Sequence, residues 1–181
     1  GEVTGVNIAP LEECIAQGIT PVISPTARDA AGQIYNCNAD DAAAQAAIAL
    51  AAKRLVFMSD VPGLLRDPKD DTTLISHLDI AQVDELKKTG VIASGMIPKV
   101  DSAVIAINAG VDKVALVNGQ IHHAVLLEIF TDKGVGTEIM NMTVCPRSRL
   151  CLGFDVMVVA VGSVQSQAVL TNTVVWVVIM K

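Results

Sequence analysis

Arg54-Leu55-Val56-Phe57-Met58-Ser59-Asp60 is the stretch that settles the class of fold. Four apolar residues in a row stand between an arginine and a Ser-Asp pair, with no polar alternation among them. A strand with one wet face alternates, whereas a short unbroken apolar run is the pattern of a central parallel strand buried on both faces. The surrounding segments agree. Upstream, Ala42 to Ala52 is built on alanine, the best helix former, and either Asn38 or Asp40 can cap it. Earlier still, Leu11 to Gln17 has helical spacing and stops at Gly18, Ile19 to Ile23 reads as a buried strand closed by Pro25, and Asp29 to Gln33 reads as a turn or hairpin that Ile34 to Asn36 completes. Downstream, Asp79 to Lys88 is amphipathic and ends at Gly90, Val100 to Asn108 is a second helix ending at Gly110, and Val114 to Val117 is another short buried strand. Helices alternate with strands, which predicts an α/β fold with a mostly parallel sheet and ligands at the carboxyl edge of its strands.

Composition narrows the function. With 51% hydrophobic and 18% charged residues over 181 positions, the chain has the material for a packed core and is not a disordered polymer. Residues 1–140 hold 10 basic and 18 acidic side chains, a net charge of -8, and the remaining residues carry +2. An acidic body lacks the clustered cations that a nucleic-acid groove needs. Cys14, Cys37, Cys145 and Cys151 show no C-x-x-C and no histidine pair placed to complete a zinc site, so reduced buried thiols are expected and no metal ligands are assigned.

Two further segments carry chemistry. Tyr35-Asn36-Cys37-Asn38-Ala39-Asp40 brings two amides and a carboxylate to the start of a helix, beside backbone N–H groups that favour anions. Gly95-Met96-Ile97-Pro98-Lys99 leads through a glycine to one lysine able to reach a phosphate. Taken singly each has a plainer use: Asp40 as a helix cap worth about 1 kcal/mol, Asn36 as a turn former, Lys99 as a solvated lysine. No G-x-x-x-x-G-K-[ST] occurs, so a Walker loop is excluded.

Together with Pro21-Val22-Ile23-Ser24-Pro25, Ser59-Asp60-Val61-Pro62-Gly63-Leu64-Leu65, Leu126 to Asp132 and Gly134-Val135-Gly136-Thr137, these segments resemble, in order, the second half of the N-acetyl-L-glutamate kinases of the amino acid kinase superfamily. The resemblance runs from about Gly1 to Ile139. It implies a three-layer α/β/α sandwich, incomplete here, and transfer of the γ-phosphoryl of ATP to the side-chain carboxylate of N-acetyl-L-glutamate in arginine biosynthesis. It also implies Mg2+ arriving with the nucleotide. Such an acceptor is already a nucleophile at neutral pH, so positioning and charge neutralisation matter more than a general base. By resemblance Lys99 contacts the transferring group, Asp40 holds the catalytic lysines, and Asn36 bonds the acylated amino acid. Asp60, Val61, Pro62, Gly63, Leu64 and Leu65 form one nucleotide-facing loop, and Val91, Ile92, Ala93, Ser94, Gly95 and Met96 the other. Glycines at 63 and 95 would let backbone approach the ligand. Glu128 and Gly134 match positions that bind the feedback effector arginine in sensitive members.

The chain also departs from the pattern. Ala93-Ser94 stands where glycines are usual, Val117-Asn118-Gly119-Gln120 where Ile-Asp-Gly-Arg is usual, and Ala115 where arginine-sensitive members carry a histidine. The family's first lysine, its glycine-rich loop and its substrate arginine have no counterpart before Asn36, so a truncated form is expected. A catalytically incomplete nucleotide-binding or regulatory module of the same superfamily is the second reading. The family further implies a homo-oligomer when complete, a PII-type regulatory partner in plastid and cyanobacterial members, and a cytoplasmic or plastid-stroma location.

Residues 1–140 are therefore read as the ATP-binding part of an amino acid kinase domain, and residues 141–181 as a tail outside the family pattern. Val156 to Met180 has no charged residue, yet Ser163, Gln165, Ser166, Gln167, Thr171, Asn172 and Thr173 interrupt the apolar run that a membrane span requires. β-rich or poorly ordered sequence, or a translated frame change, fits it better. If Met140 ends the domain, the tail has nothing to bury against, and removing it should help solubility.

Overall fold

The computed structural model describes residues 1–92, 95–131, 134–143, 156–161 and 176–180. Helix α1 (Ala9–Ala16) is followed by the short strands β1 (Val22–Ile23), β2 (Thr26–Arg28) and β3 (Ile34–Asn36), then by α2 (Ala39–Ala49) and β4 (Arg54–Ser59). Strand β5 (His77–Asp79) leads through a 3-10 turn to α3 (Val83–Lys88). Helix α4 (Ile97–Asn108), β6 (Lys113–Asn118), α5 (Ala124–Phe130), β7 (Thr137–Met140), β8 (Met157–Val161) and β9 (Trp176–Met180) complete the order.

Seven strands form one mixed sheet in the order β1-β9-β8-β4-β6-β7-β5, and β2 and β3 form a separate hairpin. The centre is parallel, with β4 flanked by β6 and β8, and β5 also runs parallel to β7; the pairs β6–β7, β8–β9 and β1–β9 are antiparallel. Strand β4 matches the decisive sequence run: Leu55, Val56 and Phe57 are all buried. Leu55 and Phe57 join Val114, Leu116, Val158 and Ala160 in the larger core, together with alanines of α2 and α4. Val56, Ala115, Val117 and Val159 point to the other face, with Ala124 of α5. These are the three layers of an α/β/α sandwich.

The hairpin appears where Asp29 predicted it. The Asp29 carboxylate accepts from the Ala31 and Gln33 amides and from the Tyr35 hydroxyl. Its carboxyl is held below the usual aspartate range, chiefly by the Gln33 N–H. Asn38, rather than Asp40, caps α2, accepting from the amides of Asp40 and Asp41, so Asp40 is left for another use. The expected buried strand Ile19 to Ile23 shrinks to two residues. It lies at the sheet's edge, and Ile19 and Val22 are exposed. Asp79 to Lys88 divides into the end of β5, a 3-10 turn opened by the Asp79 side chain, and α3.

The tail does not lie apart from the sheet, as the sequence suggested it should. Strand β8 pairs with β4 over five residues, from Arg54↔Met157 to Met58↔Val161, and Val158, Val159 and Ala160 are buried. An uncharged valine-rich segment has no outward-facing side to show, which suits a strand closed in on both faces.

Candidate active site

Helix α2 ends four residues before β4 begins, and α4 ends four residues before β6. Each helix therefore runs back along its strand, and both N-termini arrive at the carboxyl edge of the parallel strands. There the first turns meet. Lys99 Nζ donates to both Asp40 carboxylate oxygens, at 2.7 and 3.0 Å, joining residues 59 apart in sequence. The two side chains are only 17% and 16% exposed, which limits screening of the pair. The ammonium also lies 5.6 Å from the centroid of the Phe57 ring on β4, within cation–π range. A second link runs beside the first, where the Ser102 hydroxyl donates to Asp41 Oδ1 at 2.9 Å. Two helix N-termini thus adjoin with a lysine held between them by Asp40, while the α2 amides of Asp40 and Asp41 are already bonded to the Asn38 side chain.

The loop after β4 leaves from the same edge. Asp60 is exposed, Val61 and Pro62 are half-buried, Gly63 and Leu64 are buried, and Leu65 bridges to Leu74. The Leu64 amide donates to Thr137 Oγ1 at 2.9 Å. Gly63 has φ +134, and a Cβ there would stand 2.6 Å from the same hydroxyl. The need for glycine at 63 is thus set by contact with β7, whereas a Cβ at Gly95 would meet no atom of the described residues within 4 Å. In the second expected loop Ile92 is buried, Val91 is half-buried, and Met96 occupies the N-cap of α4; Ala93 and Ser94 lie outside the described residues. Asn36 ends the exposed hairpin strand β3, two residues before the α2 cap. The Gly119 amide donates to the Ser59 carbonyl, which brings the ends of β4 and β6 together.

Glu128 and Gly134 also meet. Glu128 Oε2 accepts from the Val135 and Gly136 amides, and Gly134, at φ +66, faces the same carboxylate. On the α5 face lies a cleft of about 380 Å³ whose lining includes Met58, Gly119, Gln120 and His123. At the amino edge of the strands Glu138 faces Lys113 at 3.1 Å, His77 at 3.7 Å and Arg54 at 3.8 Å. Sequence reasoning gave no site role to this row, nor to Phe57, Ser102 and Thr137. Each is an ordinary residue whose partner lies on a distant strand or helix, and no local pattern marks it. Cys14 and Cys37 are free thiols, and Cys145 and Cys151 lie outside the described residues. Among the described residues no helix is long and apolar enough to cross a membrane.

Comparison with known proteins places this geometry. Residues 1–118 match the model of the amino acid kinase family. The acetylglutamate kinase of Carboxydothermus hydrogenoformans is 47% identical over 137 residues, covering 76% of this chain and 47% of that protein. That of Nostoc punctiforme is 46% identical over 141 residues, covering 78% of this chain and 47% of the relative. Among solved structures, N-acetylglutamate synthase from Neisseria gonorrhoeae, complexed with coenzyme A and L-arginine, superposes with a TM-score of 0.68 at 30% identity, over 75% of this chain and 31% of that one. The chain spans about half the length of the acetylglutamate kinases it matches. A sequence pattern reaching from residue 1 to residue 118 and a backbone shared with a solved relative lead to one conclusion about descent: the chain belongs to the amino acid kinase family.

Proposed function

We propose that this chain is the nucleotide-binding part of an acetylglutamate kinase, a phosphotransferase with a carboxyl acceptor. The observation that carries the reading is the Lys99–Asp40 pair between two helix N-termini at the carboxyl edge. Substrate specificity comes from the acetylglutamate kinases that match most of the chain. In the reaction a side-chain carboxylate oxygen of N-acetyl-L-glutamate bonds to the γ-phosphorus of ATP. The bond from that phosphorus to the ADP oxygen breaks, and no proton need move. Lys99 meets charge on the transferring group, Asp40 keeps the ammonium aimed, and Asn36 bonds the acylated amino acid.

A nucleotide phosphate would find the Lys99 ammonium as its donor here, beside the start of α4. Mg2+ would come with the nucleotide, and the loops 60–65 and 91–96 would lie against it. Glu128 and Gly134 form the corresponding place for an arginine effector. Homo-oligomer formation and a PII-type partner belong to the same reading of the whole enzyme, as does a cytoplasmic or plastid-stroma location.

The departures from the family pattern at Ala93-Ser94 and Asn118-Gly119-Gln120 favour a second reading, a nucleotide-binding or regulatory module without turnover of its own. A coupled ADP-release assay separates the two. The chain alone is expected to give no acetylglutamate-dependent signal, because one lysine leaves the transition state under-neutralised. Joined to the N-terminal half of a relative, it should turn over. Lys99→Ala should then lower mainly kcat, and Asn36→Ala should raise mainly KM for acetylglutamate. Equal effects of both substitutions on both parameters would refute the assigned roles, and a joined enzyme without turnover would leave the module reading.

A further inference from the structure

The contact between α2 and α4 is made largely of alanine. Ala43, Ala44 and Ala47 of the first helix, and Ala103 and Ala106 of the second, are buried in one cluster. Side chains this small let helices approach closely but form shallow ridges, so packing sets the distance between the axes and only weakly resists sliding or rotation. Directional bonds must then fix the register. Among the described residues two polar links join the helices, Lys99 to Asp40 and Ser102 to Asp41.

The second link has the properties of a fixed point. Ser102 is 2% exposed, so its hydroxyl would be costly to bury unpaired, and the Asp41 carboxylate satisfies it. The Asp41 amide is tied in turn to the Asn38 side chain that opens α2. Ser102 lies three residues after Lys99, on the same side of α4. We infer that Ser102 and Asp41 are positioning residues for Lys99: their bond sets α4 in register with α2 and so sets the point from which the ammonium reaches its anion. The inference rests on the reading of Lys99 as the phosphoryl-contacting cation, but the register can be measured without nucleotide.

The test is NMR of the lysine ammonium groups in the full chain. Lys99 should exchange its ammonium protons slowly, and Lys113, paired with Glu138 at the other end of the strands, serves as the internal control. Ser102→Ala and Asp41→Ala should speed exchange at Lys99 about three- to tenfold, the worth of one net hydrogen bond, and leave Lys113 unchanged. Asp41→Asn keeps the acceptor and should keep the slow exchange. Unchanged Lys99 exchange in folded alanine variants would overturn the inference, as would equal acceleration at Lys113 or solvent-limited exchange at Lys99 in the unsubstituted chain. If the buried Ser102→Ala variant fails to fold, the exposed Asp41 positions carry the test. Adding MgATP separates the two ideas. A Lys99 that responds to the substitutions but not to MgATP supports the register link and refutes the phosphoryl reading; one that responds to MgATP but not to the substitutions does the reverse.

Discussion

Ending the chain after Met140 removes β8 and β9, and the fold predicts that the sheet will not survive the loss. Val158 and Val159 are 0% and 3% exposed. Burying a valine contributes about 1.5–3 kcal/mol, so the two together supply about 3–6 kcal/mol before Ala160 is counted. Strand β4 also loses five residues of parallel pairing, leaving Leu55, Val56 and Phe57 beside an open edge. Domains of this size are stable by only about 5–15 kcal/mol, so the deletion takes a large share of the margin. Urea unfolding followed by far-UV circular dichroism is the assay, since the single tryptophan, Trp176, is lost with the tail. The shortened chain should lack a cooperative transition or show a greatly lowered midpoint, and it should aggregate through the unpaired β4 edge. A soluble chain of residues 1–140 with the midpoint of the full chain would refute the reasoning and restore the expectation drawn from sequence.

Two smaller perturbations follow from the same packing. A Cβ at Gly136 would lie 2.1 Å from the Leu116 carbonyl oxygen, a backbone atom unable to rotate away, so Gly136→Ala should cost about 1–3 kcal/mol or more in urea unfolding; a change within about 0.5 kcal/mol would contradict the close approach of β6 and β7. Because the Asp29 carboxyl is shifted down from 3.8 by its bond from Gln33, it supports the hairpin fully above that value, and the support disappears as pH falls through the lower folded value. Hydrogen exchange at the Gln33 amide should accelerate there in the unsubstituted chain but not in Asp29→Asn, and identical profiles would refute the role of the charge.

How far the sequence could be read depended on the range of the interaction. Strand β4 and helix α2 were legible because burial on both faces and alanine content are properties of consecutive residues. The approach of Asp40 to Lys99 was legible only through family resemblance, since a contact across 59 residues leaves no trace in spacing. Phe57 under the ammonium and Ser102 against Asp41 had no such help. The place of β8 inside the sheet was missed for the opposite reason: the absence of charge that marks it as a two-sided core strand is equally the mark of sequence with no place in a fold. The glycine at 63 was assigned to ligand approach, and its nearest constraint proved to be Thr137, on a strand that no local pattern brings near.

Arg54, Lys113 and Glu138 at the amino edge, with His77 beside them, bear on how the sheet finds its alignment. Strands β4, β6 and β8 are short valine- and leucine-rich segments, so many offsets among them would bury similar apolar area. Arg54 and Lys113 are register partners, Glu138 is paired with Ala115 and with His77, and by strand alternation the side chains of Arg54, Lys113, Glu138 and His77 share the α5 face. Sliding β7 by one residue would turn Glu138 toward the other face, into the apolar layer beneath α2 and α4, and leave Lys113 buried without its carboxylate. A sheet with β7 so displaced therefore separates the Lys113–Glu138 ion pair that the aligned one keeps. The row acts as a proofreading key for strand offset, penalising near-miss arrangements that the interchangeable apolar residues would otherwise tolerate.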